Sequence, residues 1–168
     1  MNFPYSIRIL INSASTAKAL EINEIVAYLE TLGVPREGNK VTLAWNTKAD
    51  MDFYVQNLNA PEEVTSWMNE DDEDDYAAKL QIDQTGGTED MHVENIKLPE
   101  DKGNYAIFVN CFHSDGDFGR IPEIPFTVVT QIDGKYRRFS KAWNFEMMGE
   151  DNDAENMAGM MKIGTITW

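Results

Sequence analysis

The sequence predicts a mainly β protein, an antiparallel β-sandwich of jelly-roll or immunoglobulin-like type with an N-terminal strand–helix extension. Three observations predict this class. From Lys40 onward, short runs of strand character are separated by turn signals every 8 to 15 residues. The dipeptide Asp133-Gly134 between two such runs indicates a tight hairpin, because a primed turn needs positive φ angles. Only one stretch of the chain has convincing helical periodicity.

The N-terminal part combines a strand with that helix. Residues 5–12 alternate in polarity and are rich in β-branched side chains, which is typical of a strand. Ser15 or Thr16 is expected to cap the helix, and Gly33 is expected to end it. The apolar residues at helical spacing are Leu20, Ile22, Ile25, Val26, Leu29 and Leu32.

After residue 39 the pattern becomes one of strands. The predicted strands are 40–46, 51–57, 78–83, 91–97, 103–112, 124–132, 135–146 and 160–167. The acidic run 70–75 is predicted to be a solvated loop. We therefore expect residues 1–39 to pack on or beside a sandwich domain formed by residues 40–168.

The charge of the chain limits its partners. The 168 residues include 14 basic and 29 acidic side chains, which gives a formal net charge of −15. Such a surface repels nucleic-acid phosphates and anionic lipids and favours cations or basic protein surfaces. The sequence has neither an apolar run of membrane-spanning length nor an N-terminal signal-peptide pattern. We predict a protein of the cytoplasm or of a particle assembled inside a cell; secretion after removal of a signal peptide stays an alternative.

Catalytic and zinc motifs are missing from the sequence. Cys111 lies in an apolar run and is expected to be a core residue. His92 and His113 are the only histidines, and neither has a partner at zinc-ligand spacing. The loop at 113–117 is acidic and is expected to be a flexible connection rather than a second cation site. No nucleophile elbow and no phosphate-binding glycine loop is present, so we predict a protein that is not an enzyme.

A candidate calcium site is predicted near the ends of two strands. Asp50 and Asp52 are two apart on a strand, so both face the same side. Calcium takes six to eight oxygen ligands from carboxylates and loop carbonyls. The alternative is ordinary turn chemistry, with Asp side chains and glycines serving the loops alone. The candidate ligands are Asp50, Asp52, Asp83, Gly86, Glu89 and Asp90.

Aromatic residues provide a candidate binding surface. Trp45 and Trp143 lie in apolar alternations and are expected in the core. Trp67 and Tyr76 flank the acidic run, and Trp168 is expected to dock either on the domain or on a partner. Exposed aromatics anchor protein interfaces, and in a carbohydrate-binding module they stack on sugars. Trp67, Tyr76 and Trp168 are therefore the predicted binding surface.

Over about residues 40–142 the order of motifs resembles the YfaP-type domain, a family of uncharacterised β-sandwich proteins. The motifs are Leu43-Ala44-Trp45, Asp50-Met51-Asp52, Leu80-Gln81-Ile82-Asp83, Gly86-Gly87, Val93-Glu94-Asn95-Ile96, Gly103 to Val109, and Pro125 to Val129. This resemblance implies the fold and assigns no reaction.

A fainter resemblance is to the TerD-type domain of tellurite resistance, a calcium-binding family. It rests on Asp50 and Asp52 with Asp83, Gly86, Gly87, Glu89 and Asp90. The TerD-type loop is longer and carries more aspartates. Calcium binding is thus implied by this resemblance as well as suggested by the residues.

From these observations we expect a non-catalytic β-sandwich that acts by protein–protein contact in a larger assembly, stabilised by calcium if the candidate site is occupied. A calcium-dependent carbohydrate-binding module is the alternative, and a hydrolase is a third and weaker one.

Overall fold

The protein is a β-sandwich of two five-stranded antiparallel sheets with one helix packed outside. The structure is a computed structural model and describes residues 6–9, 20–69, 76–113, 123–144 and 160–168. Within these ranges the strands are β1 (Ser6–Ile9), β2 (Lys40–Trp45), β3 (Asp50–Asn57), β4 (Val64–Thr65), β5 (Lys79–Ile82), β6 (His92–Lys97), β7 (Asn104–His113), β8 (Glu123–Ile132), β9 (Lys135–Asn144) and β10 (Met161–Thr167). Helix α1 spans Ile22–Thr31, and a short 3-10 helix spans Trp67–Asn69.

The two sheets have the strand orders β1-β10-β7-β3-β4, called sheet A, and β5-β6-β2-β8-β9, called sheet B. All strand pairs are antiparallel. One face of each sheet is apolar, and burying these two faces against each other is the main stabilising term. The core between them includes Trp45 and Trp143, both fully buried, together with Cys111, as the sequence predicts. The β-sandwich prediction is confirmed.

The β8–β9 hairpin follows the predicted turn chemistry. Ile132 pairs with Lys135, and Asp133 and Gly134 between them have φ angles of 50° and 72°. Asp tolerates the left-handed region better than most residues, and Gly adopts it freely. The Asp-Gly pair therefore fixes the register of two long strands of sheet B.

The N-terminal segments add a strand to sheet A and cover the outer face of sheet B with a helix. Strand β1 pairs with β10 at the edge of sheet A. Helix α1 buries Ile25 and Leu29 against the outer face of sheet B, where they contact Ala44, Val93 and Val129. Gly33, at φ 86°, directly follows the C-cap of the helix, as predicted.

Some details differ from the sequence-based expectations. The helix begins at Ile22 with Glu21 in the N-cap position, so Ser15 and Thr16 do not cap it; they lie outside the described residues. The side-chain carboxylate of Glu24 accepts a hydrogen bond of 3.2 Å from the backbone N–H of Glu21, which satisfies one free donor of the helix start. Strand β4 and the 3-10 helix were not predicted, because two or three residues are too short to show a period. The acidic run 70–75 and residues 114–117 lie outside the described part of the chain.

Helix α1 has 10 residues, and none of the helices in the described ranges is long and apolar enough to cross a membrane.

Candidate functional site

A pocket of about 160 Å³ opens on the outer face of sheet A, where the edge of β3 meets residues that follow β5. We call it the acidic pocket. Three of its six lining residues are aspartates and two are aromatic. The lining residues are Asp50, Asp52, Trp67, Asp83, Thr85 and Phe112.

Sheet A supplies two of the carboxylates and one aromatic ring. Successive side chains of a strand point to opposite faces of the sheet. Met51 and Phe53 of β3 belong to the interior core, so Asp50 and Asp52 face outward. Phe112 comes from β7, the neighbour of β3, and is 60% exposed. The strand period thus places two acids and a ring on one side of the sandwich.

The other lining residues come from segments beyond the edge of β3. Trp67 begins the 3-10 helix that follows β4. Asp83 and Thr85 follow the end of β5, an edge strand of sheet B. The pocket therefore depends on the packing of one sheet against the other.

Gly86 and Gly87 allow the segment after β5 to pack closely against the residues that precede β3. A Cβ at Gly86 would lie 1.9 Å from the carbonyl oxygen of Ala49, so only glycine permits this close approach. Gly87 has a φ angle of 106°, and its N–H donates a hydrogen bond of 3.0 Å to the carbonyl of Lys48. This contact holds Asp83 and Thr85 beside Asp50.

A chain of hydrogen bonds fixes the tryptophan wall of the pocket. The indole Nε1–H of Trp67 donates to the hydroxyl of Tyr54 at 3.2 Å. That hydroxyl donates a long hydrogen bond of 3.5 Å to Oδ2 of Asp52. Trp67 is 42% exposed, yet its polar edge is anchored to the sheet. The faces of its ring are therefore held in a defined position.

Asp52 is the most perturbed of the lining carboxyls. Burial and, after it, the charges of Asp50 and Asp83 together raise the pKa of Asp52 to about 7, while the Tyr54 hydrogen bond opposes the change. Burial and the charge of Asp52 raise the pKa of Tyr54, which keeps its hydroxyl protonated as a donor. Asp52 therefore keeps its proton to a higher pH than an exposed aspartate does.

A fourth carboxyl, Glu94, adjoins the pocket from inside the sandwich. Glu94 lies on β6 in phase with the core residue Ile96 and is fully buried. Its Oε2 accepts a 2.7 Å hydrogen bond from the backbone N–H of Phe53. Burial, the charge of Asp52 and a hydrogen bond with the Asp83 carboxyl raise the pKa of Glu94 well above its usual range. Glu94 is thus held in a buried position beside two other carboxyls, a setting that favours its neutral form.

The structure brings together only some of the predicted ligands. Asp50, Asp52 and Asp83 line the acidic pocket with Trp67. Gly86 supports the pocket through its backbone. Glu89 and Asp90 are exposed and do not belong to the lining.

Two of the predicted surface aromatics lie elsewhere. Tyr76 is half-buried and does not line the pocket. Trp168 docks on the domain itself: its ring stacks on Tyr105 with 5.6 Å between centroids, and its backbone pairs with Gly103.

Among the residues that the structure describes, no three acidic, histidine or cysteine side chains form a group arranged to hold a metal ion. His92 is buried, and its ring lies 5.5 Å from that of Trp45. The acidic pocket offers negative charge, carboxylate acceptors and aromatic faces in one place. This combination suits the binding of a positively charged or partly apolar group.

Sequence reasoning missed three residues of this region: Thr85, Glu94 and Phe112. Glu94 did carry a signal, because an acid in phase with Ile96 and Leu98 must lie on the inward face of its strand. Phe112 follows Cys111, which is predicted to lie in the core, so strand alternation turns its ring outward, but alternation does not predict how far the ring is exposed.

Comparison of the chain with protein-family models, with curated proteins and with solved structures gave no significant match. The resemblances to YfaP-type and TerD-type domains therefore stay predictions.

Proposed function

We propose that this chain is a non-catalytic binding module that joins a larger assembly by protein–protein contact through the acidic pocket. The assembly would form inside the cell, in the cytoplasm or in a particle built there. The third candidate from the sequence, a hydrolase, has no specific observation in its favour.

One observation carries the proposal: the exposed large apolar side chains of the described residues are concentrated at this pocket. Trp67, Met68 and Phe112 are 42%, 47% and 60% exposed, and they are the large hydrophobic residues exposed to this degree in the described ranges. Trp67 and Phe112 line one pocket. Aromatic side chains in a shallow depression are the usual anchors of protein interfaces. Their clustering supports an interface at this place.

The charge of the pocket indicates the kind of partner. Three aspartates line it, and the whole chain carries a net charge of −15. Opposite charges on a partner accelerate encounter and fix its orientation, whereas an acidic partner is repelled. We therefore expect a basic protein surface to bind here.

The experiment compares the size of the native complex that the wild-type chain and two variants form in the source cells. Size-exclusion chromatography with light scattering is run on the wild-type chain, on a Trp67→Ser/Phe112→Ser variant and on Lys97→Ser. Lys97 is exposed on β6, in the other sheet, and serves as the matched control. We expect wild type and Lys97→Ser to elute in a complex with a defined second protein and the pocket variant to elute as a monomer. A compact wild-type monomer among its co-purifying proteins would contradict the proposal.

A calcium-dependent carbohydrate-binding module is the second candidate. The observation that favours it is the placement of two exposed rings, Trp67 and Phe112, beside three carboxylates. A glycan array probed with calcium and again with a chelator tests it. Binding that needs calcium and is lost in Asp83→Asn would favour this candidate over the first, and no signal in either condition would remove it.

A further inference from the structure

We infer that the acidic pocket receives a single arginine side chain of the partner protein, with its guanidinium between the carboxylates and the aromatic rings. This inference rests on the proposed function and names the group that is recognised.

The size of the pocket restricts its occupant. Pockets for drug-sized ligands measure about 300–1,000 Å³, whereas this one measures about 160 Å³. One long side chain or a few water molecules fill such a space. An oligosaccharide or a nucleotide does not.

The lining matches a flat cation with several donors. Asp52 and Asp83 present carboxylate oxygens, and an arginine fork donates to carboxylates in paired hydrogen bonds. The indole edge of Trp67 is held by Tyr54, which leaves its face for stacking. Guanidinium groups stack on aromatic faces more readily than ammonium groups do. Arginine therefore fits this lining better than lysine.

A second observation is a buried polar atom next to the pocket that lacks a hydrogen-bond donor. Glu94 is fully buried, and its Oε1 has no hydrogen-bond donor among the described residues. Its carboxyl lies against that of Asp83, which lines the pocket. The charges acting on Asp52 from Asp50 and Asp83 are also negative. A guanidinium at the pocket would lower the repulsion that Asp50 and Asp83 exert on Asp52, and its N–H groups would offer donors to the carboxyl oxygens.

A calcium ion fits the lining less well. Calcium needs six to eight oxygen ligands at about 2.3–2.6 Å. The rings of Trp67 and Phe112 occupy part of the wall and provide no oxygen. The described residues also contain no group of three acidic side chains arranged around a metal position.

The test is an NMR titration of the ¹⁵N-labelled full chain with capped pentapeptides Gly-Gly-X-Gly-Gly. X is arginine, citrulline, which has the same shape without the charge, or lysine. We expect the arginine peptide to shift the amide signals of residues around the pocket, and the citrulline peptide to bind at least tenfold more weakly. Citrulline or lysine binding as tightly as arginine would overturn the inference.

Two variants test whether the arginine peptide binds in the acidic pocket. Asp83→Asn is expected to weaken arginine binding at least tenfold, because one charged hydrogen-bond acceptor is lost. Asp90→Asn, an exposed acid outside the lining, is the matched control and is expected to change nothing. Equal losses in both variants, or calcium chloride shifting the same amides while the arginine peptide does not, would overturn the inference. The citrulline comparison uses the unmodified protein, so it holds even if a variant misfolds.

Failure of this inference can be told from failure of the proposed function. One outcome is that arginine peptides do not bind, while the Trp67→Ser/Phe112→Ser variant elutes as a monomer and the wild-type chain elutes in a complex. The acidic pocket is then an interface, and a group other than arginine occupies it. If arginine binds but the wild-type chain is a monomer in its source cells, the site stands and the assembly role falls.

Discussion

Oε2 of Glu94 accepts a 2.7 Å hydrogen bond from the backbone N–H of Phe53, so a fully buried carboxyl of sheet B is bound to the backbone of sheet A. Strand β4 pairs only with Val55 and Gln56 of β3 and does not reach Phe53. The carboxyl thus satisfies a donor that strand pairing at this edge leaves open.

Glu94→Gln is predicted to stabilise the protein at pH 7.5. The pKa of Glu94 is raised well above its usual range, so the folded state keeps a proton that the unfolded chain releases. A glutamine keeps an acceptor for the Phe53 N–H and presents its amide NH₂ to Asp83. Urea unfolding should show a higher free energy of unfolding than wild type at pH 7.5, and the difference should shrink toward pH 4.

Glu94→Ala is the matched control, because it removes the acceptor as well as the charge. It is expected to cost about 1–3 kcal/mol from the unsatisfied Phe53 N–H, with a further loss from the cavity. Equal destabilisation by both substitutions would show that keeping a proton on Glu94 does not lower the stability of the folded protein at this pH.

The free energy of unfolding is predicted to fall as the pH rises from about 4 to 7. The pKa of Asp52 is about 7 in the folded protein, against an ordinary value of 3.8. Below pH 4 both states hold the proton, and between the two values only the unfolded chain releases it, so rising pH favours unfolding. The contribution lost across this window is on the order of 4 kcal/mol.

Asp52→Asn should flatten this part of the pH profile, and the exposed Asp90→Asn should leave it unchanged. Urea unfolding at pH 4.5, 6 and 8 measures the difference. A wild-type profile that rises across this range would show that Asp52 is stabilised in its charged form instead.

Gly86 and Gly87 are predicted to respond differently to alanine. At Gly86 the new Cβ would lie 1.9 Å from the Ala49 carbonyl oxygen, so the segment after β5 must move. We expect the free energy of unfolding to fall by about 3 kcal/mol or more and Asp83 and Thr85 to be displaced from the acidic pocket. At Gly87 the new Cβ meets no heavy atom within 4 Å, and only the φ angle of 106° is unfavourable, at a cost of about 1–2 kcal/mol. Chemical unfolding distinguishes them; equal losses would argue against the tight contact.

Calcium is predicted to leave the melting temperature nearly unchanged. Burial raises the pKa of Asp52 to about 7, and aromatic rings occupy part of the lining, so the pocket lacks a full shell of charged oxygens. If calcium bound the folded protein, a free calcium concentration of 100 times the dissociation constant would raise the free energy of unfolding by about 2.7 kcal/mol. Melting curves with calcium, magnesium and EDTA test this. A calcium-specific rise that disappears in Asp83→Asn and persists in Asp90→Asn would establish the ion site that the sequence suggested.

The strands could be predicted because their alternation and turn residues are local properties of the sequence. Strand β8 was predicted at 124–132 and lies at Glu123–Ile132, and the Asp133-Gly134 turn follows it. Strand β4 has two residues, too few for any period to be visible.

The pocket could be predicted only in part, because its lining comes from segments far apart in the chain. Asp50 and Asp52 share a face by strand geometry, which one segment reveals. Their proximity to Trp67, Asp83 and Phe112 depends on the order of strands and on how the sheets meet at the edge of β3, and no local pattern encodes either.

The most direct test of the acidic pocket as the binding site is site-specific photo-crosslinking in the source cells. A photoreactive amino acid replaces Thr85, which is exposed in the pocket wall, or Lys97, which is exposed on the other sheet. We expect one defined protein to crosslink at position 85 and no protein to crosslink at position 97. The crosslink at position 85 should disappear when Trp67→Ser and Phe112→Ser are added. The same crosslinks at both positions, or none at position 85, would contradict the account.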